Sequence, residues 1–118
     1  MKRGRSTGAP TKAQVERFEM IRECGCVACL IYGLETYPEI HHLTVGGRHG
    51  QKRRGHDFTI GLCSWHHRGD PGFSTRDLCE LAYGPSYALQ PKRFRETFGQ
   101  DDELLAYQNR LIGQSEAA

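Results

Sequence analysis

Residues 39–68 read EIHHLTVGGRHGQKRRGHDFTIGLCSWHHR, and this stretch holds all six histidines of the 118-residue chain. One histidine pair lies near its start, and a second pair lies near its end, shortly after Cys63. A Cys26-x-x-Cys29 pair precedes the stretch. Two pairs of potential ligands separated by a loop are typical of a metal site. The additional histidines predict a second, open metal site beside a closed one.

The same stretch predicts a hairpin followed by a helix. Residues 39–43 and 58–62 have the composition of two short strands. The intervening residues 44–57 are rich in glycine, which disfavours a stable helix. We expect an antiparallel pair of strands, after which Cys63 leads into a short helix that carries His66 and His67.

Helices are predicted on both sides of this hairpin. Thr11 can cap a helix over residues 12–23, with Val15, Phe18 and Ile21 on one face. Further helices are expected from a capping box at residues 74–77 to Tyr83, from Pro91 to Gly99, and from residue 101 to Gly113. The predicted fold class is therefore α+β. Residues 1–12 are expected to form a disordered basic arm, residues 13–113 one domain, and residues 114–118 a frayed tail.

The composition indicates a chain that needs a metal to fold. Hydrophobic residues make up 37% of the sequence and glycine occurs 14 times, which is lean for a self-sufficient core. Five cysteines, no secretory signal and no long apolar run argue against a secreted disulfide scaffold and against a membrane span. We expect a reduced, cytoplasmic setting in which clustered cysteine and histidine bind metal.

Positive charge is concentrated in the first part of the chain. Residues 1–68 carry eleven Lys/Arg and six Asp/Glu, whereas residues 69–118 carry five and eight. An anionic partner such as DNA would meet the basic part, although a solvated surface explains the charge equally well. The candidate nucleic-acid-binding residues lie in the arm and in the loop of the hairpin: Lys2, Arg3, Arg5, Arg48, Lys52, Arg53 and Arg54.

The predicted closed site is a structural zinc site. Three thiolates and one imidazole form a normal tetrahedral ligand set, and the chain offers Cys26, Cys29, Cys63 and His66. Cys24 is an alternative to Cys26, but one intervening residue makes a poorer chelating turn. The competing interpretation is that these are ordinary buried thiols.

His41, His42 and His67 remain for the second site. Neighbouring residues of a strand point to opposite faces, so one of His41 and His42 can bind a metal while the other stays free. A bulge that aims both into one cleft is the alternative. His67 adjoins His66, so a zinc ion at His66 would fix its direction. It also stays open that His41 or His67 is a spare histidine of the zinc region.

This arrangement of a cysteine pair, a paired-histidine strand, a loop, a second strand and a helix with the last histidine resembles the HNH, or ββα-metal, nucleases. The strings EIHHL (39–43), RRGH (53–56), FTIGLCSWHHRG (58–69) and YGPS (83–86) resemble the Ref family of phage recombination-enhancement nucleases, which act with RecA filaments. The resemblance implies that residues 13–113 form an HNH nuclease domain, in which a small zinc-stabilised ββα-metal core is flanked by helices.

The resemblance also implies roles for individual residues. His41 and His67 would hold a catalytic Mg²⁺ or Mn²⁺, and His42 would be the general base that activates water. The central asparagine of the motif is replaced here by Phe58, and His56 or Asp57 is the candidate substitute. The implied partners are DNA and RecA bound to single-stranded DNA, in the cytoplasm of a bacterium that carries a phage or prophage.

Two rival functions remain at this point. One is a non-catalytic zinc module that binds nucleic acid through the basic arm and loop, and the other is a phage interaction protein that has lost activity. His42 distinguishes the enzyme from the binding module, because a binding module has no use for a free histidine beside a metal ligand.

Overall fold

A computed structural model describes residues 8–47 and 52–113 of the chain. Within these ranges six helices surround one two-stranded sheet, which confirms the predicted α+β class. The elements are α1 (Lys12–Cys24), α2 (Val27–Ile31), β1 (Glu39–His42), β2 (Thr59–Leu62), α3 (Ser64–Arg68), α4 (Arg76–Tyr83), α5 (Pro91–Phe98) and α6 (Asp101–Leu111). None of the described helices is long and apolar enough to cross a membrane.

The two strands form the predicted antiparallel hairpin. Glu39 pairs with Leu62 and His42 pairs with Thr59. All four residues of β2 are buried, whereas those of β1 are half-buried. Gly61 is required in β2, because a Cβ there would lie 2.9 Å from the side chain of Ile21. The bare backbone of β2 therefore lets α1 pack directly on the sheet.

Helix α1 begins with a capping box between Thr11 and Gln14. Its buried face is more polar than predicted: Val15 is exposed, and Arg17 is buried with Ile21. The Arg17 guanidinium donates to the Thr59 hydroxyl at 2.9 Å, to the Thr59 carbonyl, and to Asn109 of α6 at 2.8 Å. Because its donors are matched, this arginine can be buried and joins α1, β2 and α6.

Helix α2 was not predicted, since its five residues give too short a pattern. Cys26 is its N-cap, with the Cys26 sulfur accepting from the backbone N–H of Cys29 at 3.4 Å. The cysteine pair therefore lies on the first turn of a buried helix rather than on an isolated turn.

Helices α4–α6 support the sheet. The cap of α4 is Thr75, which accepts from the N–H of Leu78; the reciprocal bond of the expected capping box is not among its described contacts. Phe94 and Phe98 of α5 and Leu104 of α6 join the core around the cysteines. The Gln108 side chain of α6 accepts from the N–H of Gly61 at 2.7 Å, which satisfies a buried donor at the open edge of β2.

The described ranges bear on the predicted boundaries of the domain. Residues 1–7 of the predicted arm and residues 114–118 of the predicted tail lie outside the described residues. Gly8 to Thr11 are described, and Lys12 is already the first residue of α1. Thr11, which was grouped with the arm, thus caps the first helix of the domain.

Candidate active site and metal centres

Helix α2 and the start of α3 bring three cysteines and one histidine together. The ligand atoms of Cys26, Cys29, Cys63 and His66 all lie within 4.8 Å of one another, and all four residues are buried. Among residues 8–47 and 52–113, this is the one set of three or more His, Cys, Asp or Glu side chains close enough together to share a metal ion. These are the four residues predicted from the sequence as zinc ligands.

The spacing of these atoms fits one tetrahedral zinc ion. Ideal zinc bonds place two sulfurs about 3.8 Å apart, and a sulfur and a nitrogen about 3.6 Å apart. The sulfurs of Cys29 and Cys63 are 3.8 Å apart. The Nδ1 atom of His66 lies 3.4 Å, 3.7 Å and 3.3 Å from the sulfurs of Cys26, Cys29 and Cys63. The cluster could therefore hold zinc without rearrangement.

The surroundings of His66 also suit a metal ligand. Its Nε2 atom lies 2.8 Å from the Tyr83 carbonyl, which can only accept, so Nε2 carries the proton and Nδ1 presents its lone pair to the sulfurs. Burial lowers the pKa of His66, but hydrogen bonds to the sulfurs of Cys26 and Cys63 raise it to about 9.

The other two cysteines stay outside the cluster. Cys24 ends α1 and is half-buried, and burial raises the pKa of its thiol. Cys79 is buried on α4, and its sulfur lies 3.7 Å from the Pro71 carbonyl. Cys26 rather than Cys24 therefore has the position of a ligand.

A pair of histidines lies where β1 meets α3. The rings of His41 and His67 are 5.1 Å apart between centroids and nearly perpendicular. The Nε2 atom of His41 is buried and finds no hydrogen-bond partner among the described residues. A buried polar atom without a partner is costly, and a metal ion would satisfy it. Two imidazoles on one ion approach to roughly 5 Å, so the pair fits a shared ion.

Glu39 orients the second of these rings. Its Oε1 atom lies 2.8 Å from Nδ1 of His67, so this ring can donate from Nδ1 and offer Nε2 to a metal. Arg68 donates to both carboxylate oxygens of Glu39, at 2.8 and 2.7 Å. The hydrogen bond from Arg68 is the main cause that lowers the pKa of Glu39. Both carboxylate oxygens of Glu39 are thus engaged by the side chains of His67 and Arg68.

The environment of His41 keeps its ring neutral. Burial, followed by the nearby charges of His67, His42, Arg95 and Arg53, lowers the pKa of His41 to about 3. Its ring packs against Tyr87 with centroids 4.8 Å apart. A neutral imidazole is the form that binds metals.

His42 points to the other face of β1, as strand alternation predicts. Its Nε2 atom lies 2.9 Å from Nδ1 of His56, and the Nε2 atom of His56 lies 2.8 Å from the Gly8 carbonyl. The ring of Phe18 in α1 packs edge-on against both imidazoles. Burial, then the charge of Arg53, lowers the pKa of His42 to about 4.

The contact between His42 and His56 bears on the missing asparagine. Of the two candidate substitutes, His56 touches His42, whereas the Asp57 carboxylate accepts from Gln14 at 3.2 Å. Phe58 lies under the guanidinium of Arg54, 4.6 Å from its ring centroid. His56 therefore occupies the place of an orienting partner for His42.

The predicted nucleic-acid-binding residues divide into three groups. Lys2, Arg3, Arg5 and Arg48 lie outside the described residues. Lys52 and Arg53 are exposed, and the charge of Arg53 acts on both His41 and His42. Arg54 instead pairs with Asp102 of α6 at 2.7 Å. Among the described candidates, Arg53 is therefore the exposed residue whose charge reaches both histidines.

An open groove of about 680 Å³ lies between the loop after β1 and the start of α6. Residues from the loop after β1 and the α5–α6 corner line it: Thr44, Val45, Gly46, Arg54, Arg95, Gln100, Asp101 and Asp102. Arg95 connects the groove to the site, since it donates to the hydroxyl of Tyr87 at 2.6 Å and Tyr87 packs on His41. An extended substrate could lie in this groove, next to Arg95 and Tyr87.

Some residues near these histidines were not among those predicted from the sequence. Glu39 was quoted within the strand but given no function, although residues two apart on a strand share a face, so its place beside His41 was accessible from the pattern. Tyr87 and Arg95 follow no motif and reach the site only through packing of the last helices.

Comparison with known proteins supplies a family. The sequence model of a family described as "Recombination enhancement, RecA-dependent nuclease" matches residues 10–113, which is nearly all of the chain. No curated protein matches the sequence.

Proposed function

The chain belongs to the family of recombination-enhancement, RecA-dependent nucleases, and on that premise we propose that it is an HNH-type endonuclease that hydrolyses DNA phosphodiester bonds with one divalent ion. Membership of the family supports a nuclease role in recombination. The main support for the HNH-type mechanism is the buried Nε2 atom of His41 beside His67, which has no hydrogen-bond partner among residues 8–47 and 52–113. The hairpin and α3 then form a ββα-metal core, which the Cys26–Cys29–Cys63–His66 zinc site stabilises.

His41 and His67 would hold the catalytic Mg²⁺ or Mn²⁺. When bound there, a divalent ion supplies neutralising charge for the scissile phosphate and the leaving oxygen. Two imidazoles leave positions open for phosphate oxygens and water. Glu39 fixes the ring of His67, and the Glu39–Arg68 ion pair fixes Glu39 in turn.

His42 would take the proton from the attacking water. The Gly8 carbonyl can only accept, so a neutral His56 donates from Nε2 and accepts at Nδ1. His42 then donates from Nε2, and its Nδ1 atom holds a free lone pair. The low pKa keeps His42 neutral at physiological pH, and a bound phosphate anion raises that pKa towards a more effective value.

DNA would approach over the basic side of the hairpin. Arg53 is exposed close to His41 and His42, so it can contact a phosphate next to the scissile one. The dependence on RecA named for the family leads us to propose a RecA filament on single-stranded DNA as the partner.

The experiment compares supercoiled plasmid with a displacement loop formed by RecA and a complementary strand, each with and without Mg²⁺. We expect Mg²⁺-dependent cleavage that rises when RecA is present. Arg93→Gln is a matched control, since Arg93 pairs with Glu80 on the surface and leaves the site intact.

Each departure from this result has a defined meaning. Equal cleavage with and without RecA would leave a nuclease but refute the proposed partner. Binding of DNA without cleavage of any substrate would favour the non-catalytic zinc module, in which His42 and His56 have no chemical use.

A further inference from the structure

The contact between Gly8 and His56 joins the start of the chain to the proposed catalytic base. Gly8 lies outside the helices and strands and is exposed, yet its carbonyl is 2.8 Å from Nε2 of His56. It is 48 residues distant from His56 in sequence. Resting on the proposed function, we infer that the Gly8 backbone carbonyl is a positioning group for catalysis, which sets the tautomer of His42 through His56.

The backbone around Gly8 is held in a defined geometry. Gly8 has a φ of 56°, in the left-handed region that favours glycine. Only two residues separate it from Thr11, whose N–H donates to the Gln14 side chain at 2.9 Å in the capping box of α1. The short connection to the first turn of α1 therefore restricts the position of the Gly8 carbonyl.

A second contact ties the same two segments together. The Gln14 side chain donates to the carboxylate of Asp57 at 3.2 Å. Asp57 follows His56 directly, so the beginning of the domain and this turn are joined at two adjacent points. The Thr59 hydroxyl donates to the His56 carbonyl at 2.9 Å, which holds the turn against β2. His56 is 8% exposed, and its ring has little freedom to reorient.

The direction of these hydrogen bonds matters for the base. Without an acceptor at Nε2, His56 can carry its proton on Nδ1 and donate to His42. His42 would then accept at Nε2 and place its own proton on Nδ1, which leaves no lone pair for water. The Gly8 carbonyl excludes this arrangement, because it requires a donor at Nε2 of His56.

Two truncations that differ by two residues test the inference. In one, the initiator methionine directly precedes Gly8; in the other it directly precedes Pro10, so that no carbonyl stands at position 8. Both remove Lys2, Arg3 and Arg5, and both keep Thr11 as the cap of α1. The substrate is bis(p-nitrophenyl) phosphate with Mn²⁺, which is too small to contact the basic arm.

We expect the chain that begins at Gly8 to keep the parent kcat within about twofold. The chain that begins at Pro10 should lose roughly tenfold or more in kcat, with KM and zinc content unchanged, a smaller loss than removal of the base itself gives. His56→Ala should show a similar loss and should make the two truncations equal. His56→Gln should recover part of the rate, because its amide can accept from His42 and donate to Gly8.

His42→Ala in the same assay distinguishes the inference about Gly8 from the proposal that His42 is the base. If His42→Ala abolishes the reaction and the two truncations are equally active, the inference about Gly8 is wrong and the nuclease proposal stands. If His42→Ala is as active as the parent, the proposed base is wrong. A lower Tm or lost zinc in the shorter truncation, together with the loss of rate, would assign Gly8 a structural role only.

Discussion

Replacement of Cys63 by serine tests whether the Cys₃His cluster is what holds the domain together. Cys63 lies between β2 and α3, and its sulfur is 3.8 Å from that of Cys29 in α2. Serine almost preserves the side-chain volume, so the change removes a metal ligand without a large cavity. We expect loss of zinc and a strongly destabilised fold.

The magnitude follows from the length of chain that the ion would close. Cys29 and Cys63 are 34 residues apart, and a cross-link over a loop of this length restricts the unfolded chain by about 4 kcal/mol. Small domains have a total stability of about 5–15 kcal/mol, and this one has a lean core. Loss of the link should therefore remove a large part of the stability of the domain.

The assay combines metal analysis with urea unfolding. Trp65 is the only tryptophan; it is buried beside His66 and donates to the Gly84 carbonyl at 2.9 Å, so its fluorescence reports on this region. The parent should hold about one zinc per chain. Cys24→Ser is the matched control, since Cys24 lies two residues from Cys26 but outside the cluster. This variant should keep both the bound zinc and the urea midpoint of unfolding of the parent. A folded, zinc-free parent, or a Cys63→Ser variant with an unchanged midpoint, would refute the reasoning.

Three further predictions concern the second site and the arm. Glu39→Gln should weaken Mg²⁺ affinity about 10- to 100-fold, because the neutral amide lacks the negative charge that faces His67 and Arg68. Glu80→Gln, which also breaks a surface pair with arginine, should leave the affinity unchanged. Equal affinities of the two variants in cleavage titrations would contradict this. As the pH falls, kcat/KM should begin to decrease only well below the ordinary imidazole pKa of about 6.5. Burial and the charge of Arg53 lower the pKa of His42 to about 4, and the base stays neutral above that pH. A decrease near the ordinary value would show that another group titrates. Removal of residues 1–7 should reduce the slope of log Kd for DNA against log salt concentration, with no change in Tm. The reduction should be up to about 2.7, or about 0.9 for each of Lys2, Arg3 and Arg5. An unchanged slope would show that the arm does not contact phosphates.

The sequence was sufficient where the signal is local. The hairpin, the cap of α1 at Thr11, the start of α5 at Pro91 and the four clustered ligands follow from residue types and spacings. Opposite faces for His41 and His42 follow from strand alternation alone.

What could not be predicted depends on tertiary packing. Arg17 is buried only because Thr59 and Asn109 happen to meet its donors, so a helical pattern based on apolar residues missed it and assigned Val15 instead. Tyr87 reaches His41 from the segment between α4 and α5, where its N–H donates to the His66 carbonyl of α3 at 3.0 Å, and the Gly8 carbonyl reaches His56 across 48 residues. No period or motif in the sequence encodes such contacts.

The central claim is that His42 is the base and that His41 and His67 are the ligands of a catalytic ion. The most direct measurement is the rate of cleavage against Mg²⁺ concentration for the parent, His42→Ala and His67→Ala, with zinc content and Tm verified for each. His42→Ala should lower the maximal rate by about a hundred- to ten-thousand-fold with the Mg²⁺ midpoint unchanged. His67→Ala should shift the midpoint to higher Mg²⁺. A His42→Ala variant that cleaves like the parent, or a His67→Ala variant with the parent's midpoint, would contradict the account.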